Sequence, residues 1–400
     1  MWKKDNFFKS YFINSGKHKS NLKKTKKIFN SFLLDLANGE IPLLESYQKS
    51  YEFDFSQTMV KHFSKCKNII IIGMGGSILG TKTIYSFLKK KIKKKVFFFD
   101  NLDLNLKYKE IKNLKNSCFI VAGKSGKTIE TIINLGAIFS KNSLKKKLII
   151  IAQPTDNSLM DIANKYQAEV IEHKEFISGR YSVLSETGMF PAALMGLNLM
   201  KFKNLKKLIK NKNFISALIY NVASIYTLIS KKINNSVVLN YDSNLNDLGY
   251  WYQQLAAESL GKNGKGINPT LSFGPKDHHS LLQLYLDGPR DKFFTFFNSS
   301  QKNDKIKVSQ NCIPNSMRFL KNKSLGFIIN AQCNAVKNIF KLKKIPFRQI
   351  TFNKQNEEEL GEVFTFLVLE TILLSRLMNV NPFDQPAVEQ VKNETKKILS

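Results

Sequence analysis

The sequence predicts an α/β protein built from two doubly wound parallel-sheet domains, with helical extensions at its N- and C-termini. Three observations carry this expectation. Short, uninterrupted runs of β-branched and aromatic residues recur along the chain, each about one strand long. Amphipathic segments of helical length lie between them. The 400-residue length exceeds what one small core organises, so two units are expected.

A polar, helix-prone arm occupies residues 1–45. The first strand is Asn68-Ile69-Ile70-Ile71-Ile72, which runs into Gly73-Met74-Gly75-Gly76-Ser77 and a helix over 78–88. Val96-Phe97-Phe98-Phe99, Cys118-Phe119-Ile120-Val121 and Leu148-Ile149-Ile150-Ile151 read as further strands, with helices over 128–139 and 158–166. Runs this apolar belong to strands covered on both faces, as in parallel sheets. A helix over 184–200 closes the first domain, placed at 46–200, and the lysine-rich stretch 201–212 reads as a boundary or a crossing helix. A second cycle fills 201–380. Its strands are Ser236-Val237-Val238-Leu239-Asn240, Phe293-Phe294-Thr295-Phe296-Phe297 and Gln349-Ile350-Thr351-Phe352, with helices around Glu258, over 324–340 and over 358–378. A last helix over 384–398, with Asp384 as its cap, lies in a C-terminal unit at 381–400. The two halves read as distant copies of one design.

Composition narrows the function. Hydrophobic residues make up 43% and charged residues 23%, ordinary for a globular protein. No run of about 18 apolar residues occurs. The charged start, Met1-Trp2-Lys3-Lys4-Asp5-Asn6, lacks the apolar stretch of a secretory signal, so a cytoplasmic protein with no membrane partner is expected. Cys66, Cys118, Cys312 and Cys333 are scattered without a CxxC pair, which predicts free thiols and no metal site. The formal charge of +31 suggests a polyanionic partner. Yet only five of the 62 basic residues are arginine, and the excess of Lys, Asn, Ile and Phe follows A/T-rich codons. Lysine runs such as Lys89-Lys90-Lys91 carry no interleaved aromatic platform, so specific nucleic-acid binding is not expected.

Three loops carry candidate chemistry. In Gly73-Met74-Gly75-Gly76-Ser77-Ile78-Leu79-Gly80, backbone amides between a strand and a helix suit an anion. The spacing is not the dinucleotide fingerprint: the third glycine would fall at Ile78, and Asp100 lies too far on to be the ribose acid. Val121-Ala122-Gly123-Lys124-Ser125-Gly126-Lys127-Thr128 resembles a nucleotide P-loop, but the first required glycine is Val121. What remains is a strand-to-helix loop with hydroxyls and amides suited to one phosphate, or to ordinary helix capping. In Ser178-Gly179-Arg180-Tyr181-Ser182, a rare arginine stands ahead of a helix, where it serves an oxyanion or a structural ion pair.

The most informative segment is Trp251-Tyr252-Gln253-Gln254-Leu255-Ala256-Ala257-Glu258-Ser259-Leu260-Gly261-Lys262. It sets one carboxylate on a mostly apolar helix, just before a Gly/Lys/Asn-rich break. A desolvated carboxylate there suits proton transfer, while a solvated glutamate is the plainer alternative. His278 and His279 share a polar turn, where one could exchange protons near neutrality, and their adjacency does not match zinc spacing. Lys392 follows the Asn381-Pro382-Phe383-Asp384-Gln385-Pro386 segment and has no claim by itself in so lysine-rich a chain.

Together these blocks, in one order from about residue 68 to 392, resemble the glucose-6-phosphate isomerase family, which is built from two sugar-isomerase (SIS) domains. The resemblance implies an isomerase of glucose 6-phosphate and fructose 6-phosphate that needs no cofactor or metal. Glu258 would move the proton between C2 and C1 through a cis-enediol, with Arg180 stabilising the charge. His279 would open the sugar ring, with Lys392 at the ring oxygen on a C-terminal helix packed on the active site. Gly75, Ser77, Lys124, Ser125 and Thr128 would hold the phosphate end, and Gln254 and Gln385 the sugar. The family's histidine comes from a neighbouring subunit, which implies a homodimer. Two departures stand out: Gly123 and Lys127 replace hydroxyl residues of the family's phosphate loop, and Leu286-Asp287-Gly288 replaces its His-Gln-Gly. The alternatives are an isomerase that also accepts mannose 6-phosphate, and a non-catalytic sugar-phosphate sensor.

Overall fold

The computed structural model describes Trp2, Phe8 and residues 16–105, 114–138, 147–300 and 306–400. Residues 1, 3–7 and 9–15 of the expected N-terminal arm, and Phe139 at the end of one expected helix, lie outside them.

The described strands form two parallel sheets. The first holds β1 (Asn68–Gly73), β2 (Lys95–Phe99), β3 (Ser117–Ala122), β4 (Leu148–Ala152) and β5 (Glu169–Glu172) in the order β2-β1-β3-β4-β5. The second holds β6 (Asn235–Asn240), β7 (Asn268–Phe273), β8 (Lys292–Ser299) and β9 (Phe347–Phe352) in the order β7-β6-β8-β9. The apolar runs supply the buried central strands, with Ile71 opposite Phe98 and Ile120 in the first sheet. In both sheets the second strand lies on one side of the first and the third on the other. The strand order therefore reverses between β1 and β3, and again between β6 and β8. Loops diverge at such a reversal and leave a crevice beyond the carboxyl ends of the strands, where ligands bind in this class of fold.

Where the structure departs from the sequence reading, the reasons are local. β5 and β7 were not anticipated, and both are edge strands. β5 is only four residues long and ends in charged residues. β7 contains Pro269, whose missing N–H is tolerated at an edge, where one side of the strand has no ladder. The single helix expected over 184–200 is instead a 3-10 turn, Gly179–Leu184, a helix, Glu186–Leu194, and a short helix, Leu199–Phe202. Gly196 lies in the gap with φ +81°, outside helical geometry. Asp384 does not cap the last helix. That helix is Ala387–Leu399, it follows Pro386 without a side-chain cap, and Asp384 is drawn away into an ion pair with Lys262 at 2.8 Å.

The Asn246–Leu260 helix bridges the two halves. It packs on the Gly76–Leu88 helix of the first sheet and on the Glu357–Met378 helix, which is buried along most of its length. Trp251 meets Phe364 edge-on at 4.7 Å between ring centroids. Beneath lies a buried polar knot in which Arg348 pairs with Glu370. Arg348 also donates to Thr295 Oγ1 at 2.8 Å, to Asn221 Oδ1 at 2.9 Å and to the Tyr252 hydroxyl at 3.1 Å. This knot ties together β8, β9 and three helices, one of them the helix that carries Glu258. Glu370→Leu would leave the Arg348 charge buried and uncompensated. It is expected to destabilise the protein by about 3–5 kcal/mol in denaturant unfolding, and adding Arg348→Met should recover most of that loss.

Candidate active site

Glu258 sits in the last turn of the Asn246–Leu260 helix, beside a cleft of about 490 Å³ that is also lined by Leu79, Tyr250 and Gln254. Its side chain is 28% exposed, so the desolvated environment anticipated from the apolar helix is only partial. Two donors fix it. Gln254, one turn earlier, donates from Nε2 to Oε1 at 2.8 Å, and Arg180 donates from Nη1 to Oε2 at 3.3 Å. The side-chain oxygen of Gln254 is buried and has no hydrogen-bond partner, although the residue lines the cleft. Asp100 also borders this cleft, paired with Lys82 at 2.6 Å rather than standing free for a ribose.

Arg180 is 2% exposed, and all five of its N–H donors are engaged. Nε donates to Ser259 Oγ at 2.9 Å, and Nη1 to Glu258 and to Gln385 Oε1 at 2.6 Å. Nη2 donates to the carbonyls of Pro382 at 2.6 Å and Asp384 at 2.8 Å. A guanidinium this saturated is held in place. It acts on its surroundings as a fixed positive charge rather than through a free donor.

The glycine loop serves this arrangement by allowing close approach. Gly75 has φ +52°, and a Cβ there would stand 2.6 Å from Gln254 Nε2. A Cβ on Gly76 would lie 2.1 Å from the carbonyl carbon of Gly179 and 2.4 Å from the amide nitrogen of Arg180, both backbone atoms. Ser77 is buried in the first turn of the Gly76–Leu88 helix. Across the strand reversal, Lys124 and Ser125 lie in the loop after β3, and Thr128 immediately precedes the Ile129–Ile138 helix. Lys124 Nζ donates to the Glu175 carbonyl at 2.6 Å. Burial pushes its ammonium below the usual lysine range, the nearby Glu175 charge opposes that shift, and Arg180 adds to it.

Two expected residues stand apart. His279 is exposed on the turn after β7, and neither touches Glu258 nor lines its cleft among the described residues. Its neighbour His278 is tied to the Tyr241 hydroxyl through Nε2 at 2.6 Å. Lys392 pairs with Glu389 at 2.5 Å and is 54% exposed, on a helix that buries none of its residues. Within one chain the last helix therefore does not pack on Glu258, although the 382–385 segment before it grips Arg180.

Sequence reasoning gave no role to Ser259, Tyr181 or Lys262. Ser259 Oγ bonds both Arg180 and the Tyr181 hydroxyl, each at 2.9 Å. Lys262 binds the Asn381 carbonyl and the Asp384 carboxylate, and this hydrogen-bonded partner holds Asp384 below the usual carboxylate range. A serine beside a key glutamate and one lysine among many carry no signal until the segments meet. Gly76→Ala is expected to destabilise the protein by about 1–3 kcal/mol, because backbone must move to admit the methyl group. Gly136→Ala, where nothing lies within 4 Å, is the control and should hold or raise the melting temperature.

The chain matches the family model described as phosphoglucose isomerase over residues 52–400. It is 31% identical to the glucose-6-phosphate isomerase of Methanocaldococcus jannaschii, over 90% of this chain and 92% of that one. It is also 31% identical to the glucose-6-phosphate isomerase of Mycoplasmopsis synoviae, over 88% of this chain and 87% of the other. Among solved structures it is similar to a glucose-6-phosphate isomerase from Chlamydia trachomatis, with a TM-score of 0.68 at 19% identity, covering 86% of this chain and 71% of that one. A hypothetical protein from Thermus thermophilus superposes with a TM-score of 0.79 at 20% identity, covering 98% and 99% of the two chains. The chain belongs to the phosphoglucose isomerase family.

Proposed function

We propose that this protein interconverts glucose 6-phosphate and fructose 6-phosphate, as the names of its relatives state for them. The observation that carries the reading is the Glu258 carboxylate, held between Gln254 and a saturated Arg180 beside a cleft. In the open-chain aldose, Glu258 takes the proton from C2 and the C1 carbonyl oxygen accepts the electron pair, giving a cis-enediolate. The hydroxyl proton passes from the C2 oxygen to the C1 oxygen, through the cis-enediol, and return of the carbon-bound proton from Glu258 to C1 as the C2 oxygen becomes the carbonyl completes the ketose. C2 is oxidised as C1 is reduced, so the step balances within the substrate.

Each remaining residue has a place in this scheme. Arg180 offsets the negative charge on the enediol oxygens through its field, since its donors are already committed. Gln254, on the wall of the cleft, contacts the sugar on one side, and Gln385, held by Arg180, orients the other. The phosphate binds at the loops that follow β1 and β3, which carry Gly75, Ser77, Lys124, Ser125 and Thr128, aided by the start of the Ile129–Ile138 helix. Ring opening falls to His279 of a second copy in a homodimer, with Lys392 at the ring oxygen. The exposure of both residues in the single chain is consistent with completion by a partner. Such an enzyme would act in the cytoplasm.

A coupled assay from glucose 6-phosphate to fructose 6-phosphate tests the reading, and folded protein without turnover would overturn it. Glu258→Gln is expected to lower kcat by about 10²–10⁴-fold or more with little change in KM. Glu258→Gln and His279→Ala chains, each inactive alone, should regain activity when refolded together. Continued inactivity of the mixture would place His279 in its own subunit's site or outside any site.

A further inference from the structure

The lysine-rich stretch contains one lysine unlike the rest. Lys203 is 0% exposed, at the end of the short Leu199–Phe202 helix. Its Nζ donates to the carbonyl of Ser46 at 2.7 Å and to the carbonyl of Leu184 at 3.0 Å. It also lies 4.4 Å from the ring centre of Tyr51 and 4.2 Å from that of Phe53, an aromatic cage suited to a cation. Burial pushes its ammonium down to about 7, with the Glu186 charge opposing that shift. A methionine or leucine would fill the same space without the desolvation penalty of a buried ammonium.

The two carbonyls explain its presence. Leu184 is the last residue of the Gly179–Leu184 turn that carries Arg180, and Ser46 belongs to the 3-10 segment Pro42–Tyr47 packed behind that turn. The same two segments are joined by the Tyr47 hydroxyl, which donates to the Tyr181 carbonyl at 3.2 Å. Tyr51 donates to both oxygens of Glu186, the first residue of the following helix, at 2.9 and 2.8 Å. The front of the turn is gripped through the Arg180 guanidinium, and the back through Lys203.

We infer that Lys203 is a positioning residue for the isomerase: it clamps the Arg180 turn from behind and so sets the placement of the charge beside Glu258. The inference rests on the proposed activity, and it makes the lysine's effect felt in turnover rather than in substrate binding. None of the contacts described for Lys203 is with the loop at 124–128, which would hold the phosphate.

The test is Lys203→Met, which keeps the stem and removes the ammonium. The folded variant is expected to lose about tenfold or more in kcat while KM changes by less than about threefold, since a misplacement of about 1 Å is enough for losses of that order. In the same variant, the buried Arg180 should become reactive to phenylglyoxal, read by peptide mass spectrometry. A folded variant with unchanged kcat and a protected Arg180 would overturn the inference. If Lys203→Met does not fold, Phe53→Leu loosens the cage with the lysine in place and should lower kcat in the same direction; unchanged kcat there would also count against it. The labelling readout stands even if the wild-type protein proves inactive as an isomerase, so the two readings fail separately.

Discussion

The candidate active site depends on a guanidinium with no donor left over. Arg180 spends its five N–H groups on Ser259, Glu258, Gln385 and the carbonyls of Pro382 and Asp384. Those partners lie on the Asn246–Leu260 helix and on the segment just before the last helix. One buried charge therefore joins the turn after β5, the bridging helix and the approach to the C-terminus. Taking such a charge out of water costs several kcal/mol, and only a full set of hydrogen bonds offsets that penalty. The same requirement makes the site rigid, because no partner can leave without exposing the cost. For the proposed isomerisation, in which a carboxylate and a compensating charge act together, this amounts to preorganisation.

The rest of the fold brings Arg180 and Glu258 to the same place. Parallel order with a reversal between β1 and β3 opens a crevice, and the Gly76–Leu88 helix begins at its edge. Gly76 lets that helix start against the backbone of Gly179 and Arg180, where any side chain would collide. The bridging helix is supported from below by the Arg348–Glu370 knot, which is itself fully buried and hydrogen-bonded. Two buried arginines thus act at two depths. Arg348 holds the helix, and Arg180 holds the carboxylate that the helix presents.

Much of this was legible in the sequence. Uninterrupted apolar runs identified the central strands because a strand covered on both faces has no polar side to show. Gln254 and Glu258 stand four apart on a helix, so their proximity follows from helical geometry. Arg180 drew notice because arginine is scarce in this chain. The edge strands β5 and β7 escaped because an edge tolerates charge and proline, which interrupt the apolar runs that mark a central strand. Asp384 reads as a helix cap until Lys262, far earlier in the chain, claims its carboxylate.

By itself the sequence determined the α/β class, the order of the loops and the residue types proposed to bind a phosphate and move a proton. These follow from periodicity and local spacing, which act over a few residues. Only the tertiary structure decided that Arg180 has no free donor, that Ser259 and Lys262 belong to the site's support, and that Lys203 is buried among aromatic rings while most lysines face water. It also left His279 and Lys392 exposed within one chain, away from Glu258. Those outcomes depend on which distant segments meet and what each excludes from water. A lysine's sequence neighbours do not show whether its ammonium ends in solvent or between two carbonyls.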